Sequence, residues 1–243
     1  MTIYATPRCI PVGDTGLLVE IADEISVPVN DDVCRLDRAL EAAPPPGLLE
    51  TVPTYRSMML YFDPAITDAE TLAVLARDLL QAPPTDEQAQ TRYWSVPVCY
   101  GGEAGQDLED FAKAEDLSPS EIIALHTGAD YRVYMIGAFP GFTYLGGLDP
   151  ALHASRKAVP IPRMPERSIM IGGIQAGIGT VPAPTGWHLL GRTPFRAYDP
   201  SKAQPFVLRV GDRIRFEAVS PGHWQKLEEM AEAGAVVATM DVA

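Results

Sequence analysis

Tyr131-Arg132-Val133-Tyr134-Met135-Ile136-Gly137-Ala138-Phe139 reads as a strand, and it opens a run of short apolar segments, each broken by glycine or proline, that continues to Ala218. Many short strands punctuated in this way predict a closed or nearly closed β-barrel. The chain carries 20 glycines and 23 prolines, concentrated after Gly137, and that excess belongs to turns and special backbone geometry. Upstream, residues 93–100 read as another strand and 106–115 as a short helix. Ser118-Pro119-Ser120-Glu121 is a capping box with proline at the first helical position, opening a helix through Ile122, Ile123 and Leu125 that Gly128 closes. The two helices form an insertion near the start of the barrel.

The first third of the chain follows a different pattern. Gly16–Ala22 reads as a strand, and Asn30-Asp31-Asp32 caps a helix through Val33, Leu36 and Leu40 that stops at Pro44-Pro45-Pro46-Gly47. Strands over 48–52 and 57–62 follow, and Thr67-Asp68-Ala69-Glu70 caps a helix carrying Leu72, Leu75, Ala76 and Leu79 at helical spacing. This order predicts a small α+β domain, helices packed on one face of a mainly antiparallel sheet, over residues 1–85. The polar, proline-containing stretch 81–90 is the expected linker, and the mainly β barrel domain occupies 91–243.

The 243 residues are 47% hydrophobic and carry 19 Lys and Arg against 32 Asp and Glu, a net charge of −13 that lacks the basic footprint of a nucleic-acid or anionic-membrane binder. Cys9, Cys34 and Cys99 form no CxxC pair, which argues against a disulfide framework and a thiolate zinc site and suits a reducing cytoplasm. No secretory signal and no apolar run of about 18–20 residues is visible, so a cytoplasmic protein without a membrane span is expected. Phosphate-loop, HExxH, GxSxG and deaminase signatures are missing, and no metal site is expected.

Several residues have chemistry to offer. His188 lies in Thr185-Gly186-Trp187-His188-Leu189-Leu190-Gly191-Arg192, where strand alternation puts His188, Leu190 and Arg192 on one face and Trp187, Leu189 and Gly191 on the other. A histidine and an arginine on one face could hold and protonate an anionic substrate, or the histidine could be structural. Arg156, Lys157, Arg163 and Arg167 stand among Pro160, Pro162 and Pro165, either as a solvated basic loop or as a carboxylate or phosphate clamp. The cluster Gly172-Gly173-Ile174-Gln175-Ala176-Gly177-Ile178-Gly179 is either a set of tight turns or a backbone surface open to a ligand, with Gln175 able to bond an amide edge. Of the aromatic run from Phe139 to Tyr144, Tyr144 is the member most able to face a pocket. His126, at a helix end where an imidazolium favours the dipole, reads as structural, and His153 and His223 as surface residues.

LHTGADYRVYMIGAFPGFTYLGGLD from Leu125 to Asp149, IGGIQAGI from Ile171 to Ile178, and GWHLLGRTP from Gly186 to Pro194, in this order, resemble the KipI family. That family takes in the B-type subunit of the bacterial ATP-dependent 5-oxoprolinase, allophanate hydrolase subunit 1 and carboxyltransferase subdomain 1. The resemblance implies a small α+β (ferredoxin-like) domain followed by a cyclophilin-like barrel. It further implies a hydrolase subunit that opens an amide or lactam, 5-oxoproline to glutamate foremost. The partners implied are a KipA-like C-type subunit, similar to allophanate hydrolase subunit 2, and a lactam-opening third component. ATP with Mg would act in the assembled complex, with no cofactor held tightly by this chain, and the alternative is a regulatory protein that inhibits a sensor histidine kinase. Carried onto this sequence, His188, Arg163 and Gln175 are the expected catalytic residues, and Tyr144, Arg192, Gly173 and Thr180 the substrate contacts. Typical members read GGxQTGIYP, SPGGW and PAGSV where this chain has Ala176, Gly179, Thr180, Ala183 and Thr185, and Pro165-Glu166-Arg167-Ser168-Ile169. A hydroxyl and an aromatic ring are thereby missing from the presumed cleft.

Overall fold

The structure is a computed structural model that describes residues 3–83 and 91–242. The chain divides into two compact units, residues 1–89 and 90–243. Most of the expected linker, residues 84–90, lies outside the described residues.

In the first unit β1 (Ile3–Val12), β2 (Gly16–Ala22), α1 (Val27–Ala42), β3 (Leu48–Pro53), β4 (Ser57–Phe62) and α2 (Ala69–Gln81) follow one another. The sheet is antiparallel in the order β1-β2-β4-β3. Leu17, Val19 and Ile21 of β2 and Met58, Leu60 and Phe62 of β4 meet Val33, Leu36 and Leu40 of α1 and Leu72 and Ala76 of α2, so period-two and helical patterns bury their apolar faces together. The sequence reading omits β1, whose Pro7 and Pro11 argue against a strand; β1 lies at the sheet edge, where a missing backbone donor is tolerated. The unit therefore departs from the β-α-β-β-α-β succession of a ferredoxin-like domain, because the edge strand beside β2 precedes it in the chain rather than following α2. Helix α1 also starts earlier than expected, with Ser26 at its N-cap, and the buried Asn30 donates to the Thr54 carbonyl at 3.2 Å instead of capping. For α2 the cap is Asp68, which accepts from the Thr71 amide at 2.8 Å.

The second unit contains β5 (Arg92–Tyr100), α3 (Leu108–Ala114), α4 (Pro119–Gly128), β6 (Tyr131–Ile136), β7 (Thr143–Gly146), β8 (Ile161–Met164), β9 (Ser168–Gly172), β10 (Gln175–Gly179), β11 (Ala183–Thr185), β12 (His188–Arg192), β13 (Arg213–Ala218), α5 (Pro221–Glu232) and β14 (Thr239–Val242). Seven strands close a barrel in the order β12-β9-β10-β7-β6-β13-β5, with β5 returning to β12 through Tyr100 and Cys99. Strand β14 pairs with the other half of β5, and β8 with β11 form a separate ribbon. Val96, Val133, Leu145, Ile169, Ile171, Ile178 and Phe216 fill the interior. Ser118 and Glu121 make both halves of the capping box of α4. Helix α5 and strand β14 are absent from the sequence reading; α5 buries only Ala231, so its apolar period is weak.

Candidate functional site

Strands β9 and β10 are joined by a two-residue turn, Gly173-Ile174, where Gly173 takes the left-handed backbone (φ +64°) that glycine adopts most readily. Gly173 also bridges to Ala154, its amide donating to the Ala154 carbonyl at 2.8 Å. The register pairs Ile171 with Ala176 and Gly172 with Gln175, so Ile169, Ile171, Ala176 and Ile178 face the interior while Met170, Gly172, Gln175, Gly177 and Gly179 face outward. The outward glycines make room for large side chains. A Cβ on Gly172 would lie 2.9 Å from the Trp187 indole, one on Gly177 3.1 Å from it, and one on Gly179 2.7 Å from the Met170 methyl. Only Gly173 serves a tight turn, and the rest of the cluster is a seat.

Tyr144 lies opposite Gly177 and therefore on the same outward face as Gln175. Its ring centre is 4.7 Å from Phe142 and 5.9 Å from Trp187, and the Arg156 guanidinium sits 5.6 Å from the Trp187 ring. Burial raises the pKa of the Tyr144 phenol, and the charge of Arg156 pulls it back down. The segment carrying Arg156 is held at three points. Ala154 bridges Gly173, the Lys157 amide donates to the Gly186 carbonyl at 2.7 Å, and the Lys157 ammonium meets the Asp107 carboxylate at 2.5 Å. The same Asp107 oxygen accepts from the Leu189 amide at 2.8 Å, tying this segment to β12. Trp187 and Asp107 are the participants that sequence reasoning missed as site residues, and Arg156 comes from the basic cluster it read as a solvated loop or an anion clamp; a tryptophan next to a glycine-rich strand pair was the available signal.

The expected face shared by His188 and Arg192 does not form. β12 pairs His188 with Ile171 and Leu189 with Met170, then Gly191 with Ile169 and Arg192 with Ser168. The irregularity at Leu190 inserts one residue and reverses the alternation, so Arg192 joins the outward face while His188 stays on that of Ile171. His188 packs 5.0 Å from the Phe111 ring, and its Nε2–H donates to the Ser155 carbonyl at 2.9 Å. Gln175 thus stands on the opposite face from His188, and the two do not converge. Arg163 is exposed on β8 and makes no hydrogen bond or ion pair among the described residues. The Thr180 hydroxyl donates to the Pro140 carbonyl at 2.5 Å, so it fixes the turn around Gly141 rather than standing free for a substrate.

His126 is a correction of another kind. It is fully buried, hydrogen-bonded through Nδ1 to the Tyr100 hydroxyl at 2.8 Å and stacked 4.8 Å from Phe216. Burial lowers its pKa to about 3, so it stays neutral and contributes no charge to the helix end. Among the described residues no group of three or more His, Cys, Asp or Glu side chains could hold a metal ion, and no helix is long and apolar enough to cross a membrane. All three cysteines are free. A groove of about 490 Å³ between Leu125, Gly128, Leu148 and Pro150 includes none of Tyr144, Arg156, Gln175, Trp187 and His188.

The family model for the carboxyltransferase domain, subdomain C and D, matches residues 7–208. The B-type subunit of 5-oxoprolinase from Bacillus subtilis (strain 168) is 34% identical over 228 residues, 90% of this chain and 95% of its own length. The crystal structure of TTHA0988 is similar at a TM-score of 0.77 and 37% identity over 85% of this chain. The chain spans only 40% of that longer relative. The Kluyveromyces lactis urea carboxylase, at 18% identity, shares the fold with a TM-score of 0.78 over 98% of this chain and 24% of its own. With a family match across most of its length and a relative aligned nearly end to end, the chain belongs to the carboxyltransferase domain family, subdomain C and D.

Proposed function

We propose that the chain is one subunit of an ATP-dependent amide- or lactam-opening hydrolase, of the kind that converts 5-oxoproline to glutamate, and that it acts in the cytoplasm with a KipA-like C-type subunit and a lactam-opening third component. The observation that carries this reading is the alignment with a protein named as the B-type subunit of 5-oxoprolinase over 95% of that protein's length. The barrel is read as cyclophilin-like, in keeping with that family.

The chemistry of the outward face suits the reading. Opening a lactam by phosphoryl activation of its carbonyl needs a donor at the carbonyl oxygen and a cation near the transferring group. Gln175 offers an amide that can pair with both the C=O and the N–H of a lactam edge, and Tyr144 offers a phenol on the same face. The rings of Phe142, Tyr144 and Trp187 pack at steep angles into one aromatic cluster, with the Arg156 charge at its margin. His188 and Arg163 enter as rim residues, His188 by fixing Ser155 and Arg163 by its exposed charge. ATP is a co-substrate of the assembled complex, with Mg, and is not held tightly by this chain.

The test is ATP turnover by the purified chain, alone and after co-expression with its partner subunits, across 5-oxoproline, allophanate, urea and other lactams. The expected result is substrate-dependent ATP hydrolysis by the complex and none by the chain alone. Turnover by the isolated chain, or a complex inert toward all of these substrates, overturns the reading.

A further inference from the structure

At the Arg192 end of the outward face the barrel gathers features that each cost stability. Arg167, just before β9, holds a left-handed backbone (φ +60°) without being glycine. Its side chain is only 12% exposed, paired with Glu228 of α5 and with Glu166 at 3.2 Å, and its Nε is buried without a partner. Arg192 stands near this like charge, donates from Nε to the Glu166 carbonyl at 3.2 Å and lies 5.7 Å from the Trp224 ring. Its terminal nitrogens donate to no group among the described residues. The indole Nε1–H of Trp224 is likewise buried and unpaired. The two carboxylates nearby, Glu166 and Glu228, are both engaged on Arg167. Two neighbouring guanidinium groups and two buried donors without acceptors have one common remedy, an oxygen-rich anion.

We propose that Arg192, Arg167 and Trp224 form a binding site for a small oxyanion, a phosphate or carboxylate group, with α5 as its wall. The guanidinium fork of Arg192 takes two of the anion's oxygens side by side, the geometry that arginine presents to carboxylate and phosphate alike. Glu228 holds Arg167 in the absence of the anion and competes with it, so binding is an exchange of one carboxylate for an incoming oxyanion. The site is independent of the Gln175 and Tyr144 contacts and of the lactam reading.

Trp224 lies under Arg192 and reports directly. The experiment is a tryptophan-fluorescence titration of the full chain with inorganic phosphate and with acetate, at ionic strength held constant with chloride, and Trp224→Phe assigns the signal. A saturable response is expected, weakened about tenfold or more by Arg192→Gln and strengthened several-fold by Glu228→Gln. Saturation by phosphate alone assigns the site to a phosphoryl group, and saturation by acetate assigns it to a substrate carboxylate; either upholds the proposal. No saturable response to either anion, or equal affinity in Arg192→Gln, overturns it. If Arg192→Gln fails to fold, Glu228→Gln decides: tighter binding supports the site, and unchanged or weaker binding removes it.

Discussion

On their inward face β9 and β10 carry Ile169, Ile171, Ala176 and Ile178, none more than 1% exposed, while on their outward face they carry Met170, three glycines and Gln175. The interior is filled by the strands' own side chains. Outside, the glycines leave space that Trp187, just before β12, and Met164, from the ribbon, come to occupy. Two faces of one pair of strands thus divide the work: the inner one fills the barrel, and the outer one packs a second apolar cluster at whose margin Tyr144, Gln175 and Arg156 stand. Substitutions should therefore separate into those read in stability and those read in turnover.

The largest effect is expected on the inner face. Ile171→Ala removes a side chain that is 1% exposed inside a closed barrel, where neighbours relax little, and should cost about 2–5 kcal/mol in urea unfolding. Turnover per folded complex should stay at the wild-type level. A variant as stable as the parent would show that the wall is not the packed core described.

Next comes Gln175→Ala on the outer face. If its amide meets the activated carbonyl, turnover of the assembled complex should fall by about 30- to 1000-fold, roughly 2–4 kcal/mol, with the melting temperature unmoved. A lowered melting temperature with full turnover per folded complex would reduce Gln175 to a structural residue and erase the difference between the faces.

What the sequence disclosed about this contrast depended on how local each cause is. The capping box at Ser118 and the strand at Ser57–Phe62 follow from neighbouring residue types, and both stand where the pattern put them. Ser220 and Pro221 repeat the cap signature of Ser118 and Pro119 at the start of α5, a helix still overlooked because so little of it is buried. Strand β1 was hidden by prolines that only an edge position excuses. The irregularity at Leu190 has no signature in residue type, yet it decides which face Arg192 takes. Tyr144 and Gln175 could be picked out by composition; that Trp187 lies across Gly172 and Gly177 is a tertiary fact, visible only once β12 is laid beside β9.

The smallest effect sharpens the inner half of the contrast, because a histidine is fully buried in this unit. His126 packs against Tyr131 and Phe216 and accepts or donates one hydrogen bond, at Nδ1 with the Tyr100 hydroxyl, while its Nε2 has no partner. Burial depresses its folded-state pKa to about 3, against about 6.5 for an unfolded histidine. The folded protein therefore binds fewer protons than the unfolded chain below pH 6.5, and stability that is fully present above that value falls as the solution is acidified toward pH 3. Between pH 7 and 5.5 this one group should remove about 1 kcal/mol from the unfolding free energy. His126→Gln will lower stability throughout by disturbing the packing, but it should flatten the slope attributable to this residue, so the slope rather than the offset is the readout. Urea unfolding of both proteins at several pH values across that interval makes the comparison; parallel curves would mean that His126 takes up its proton in the folded barrel as easily as in the open chain.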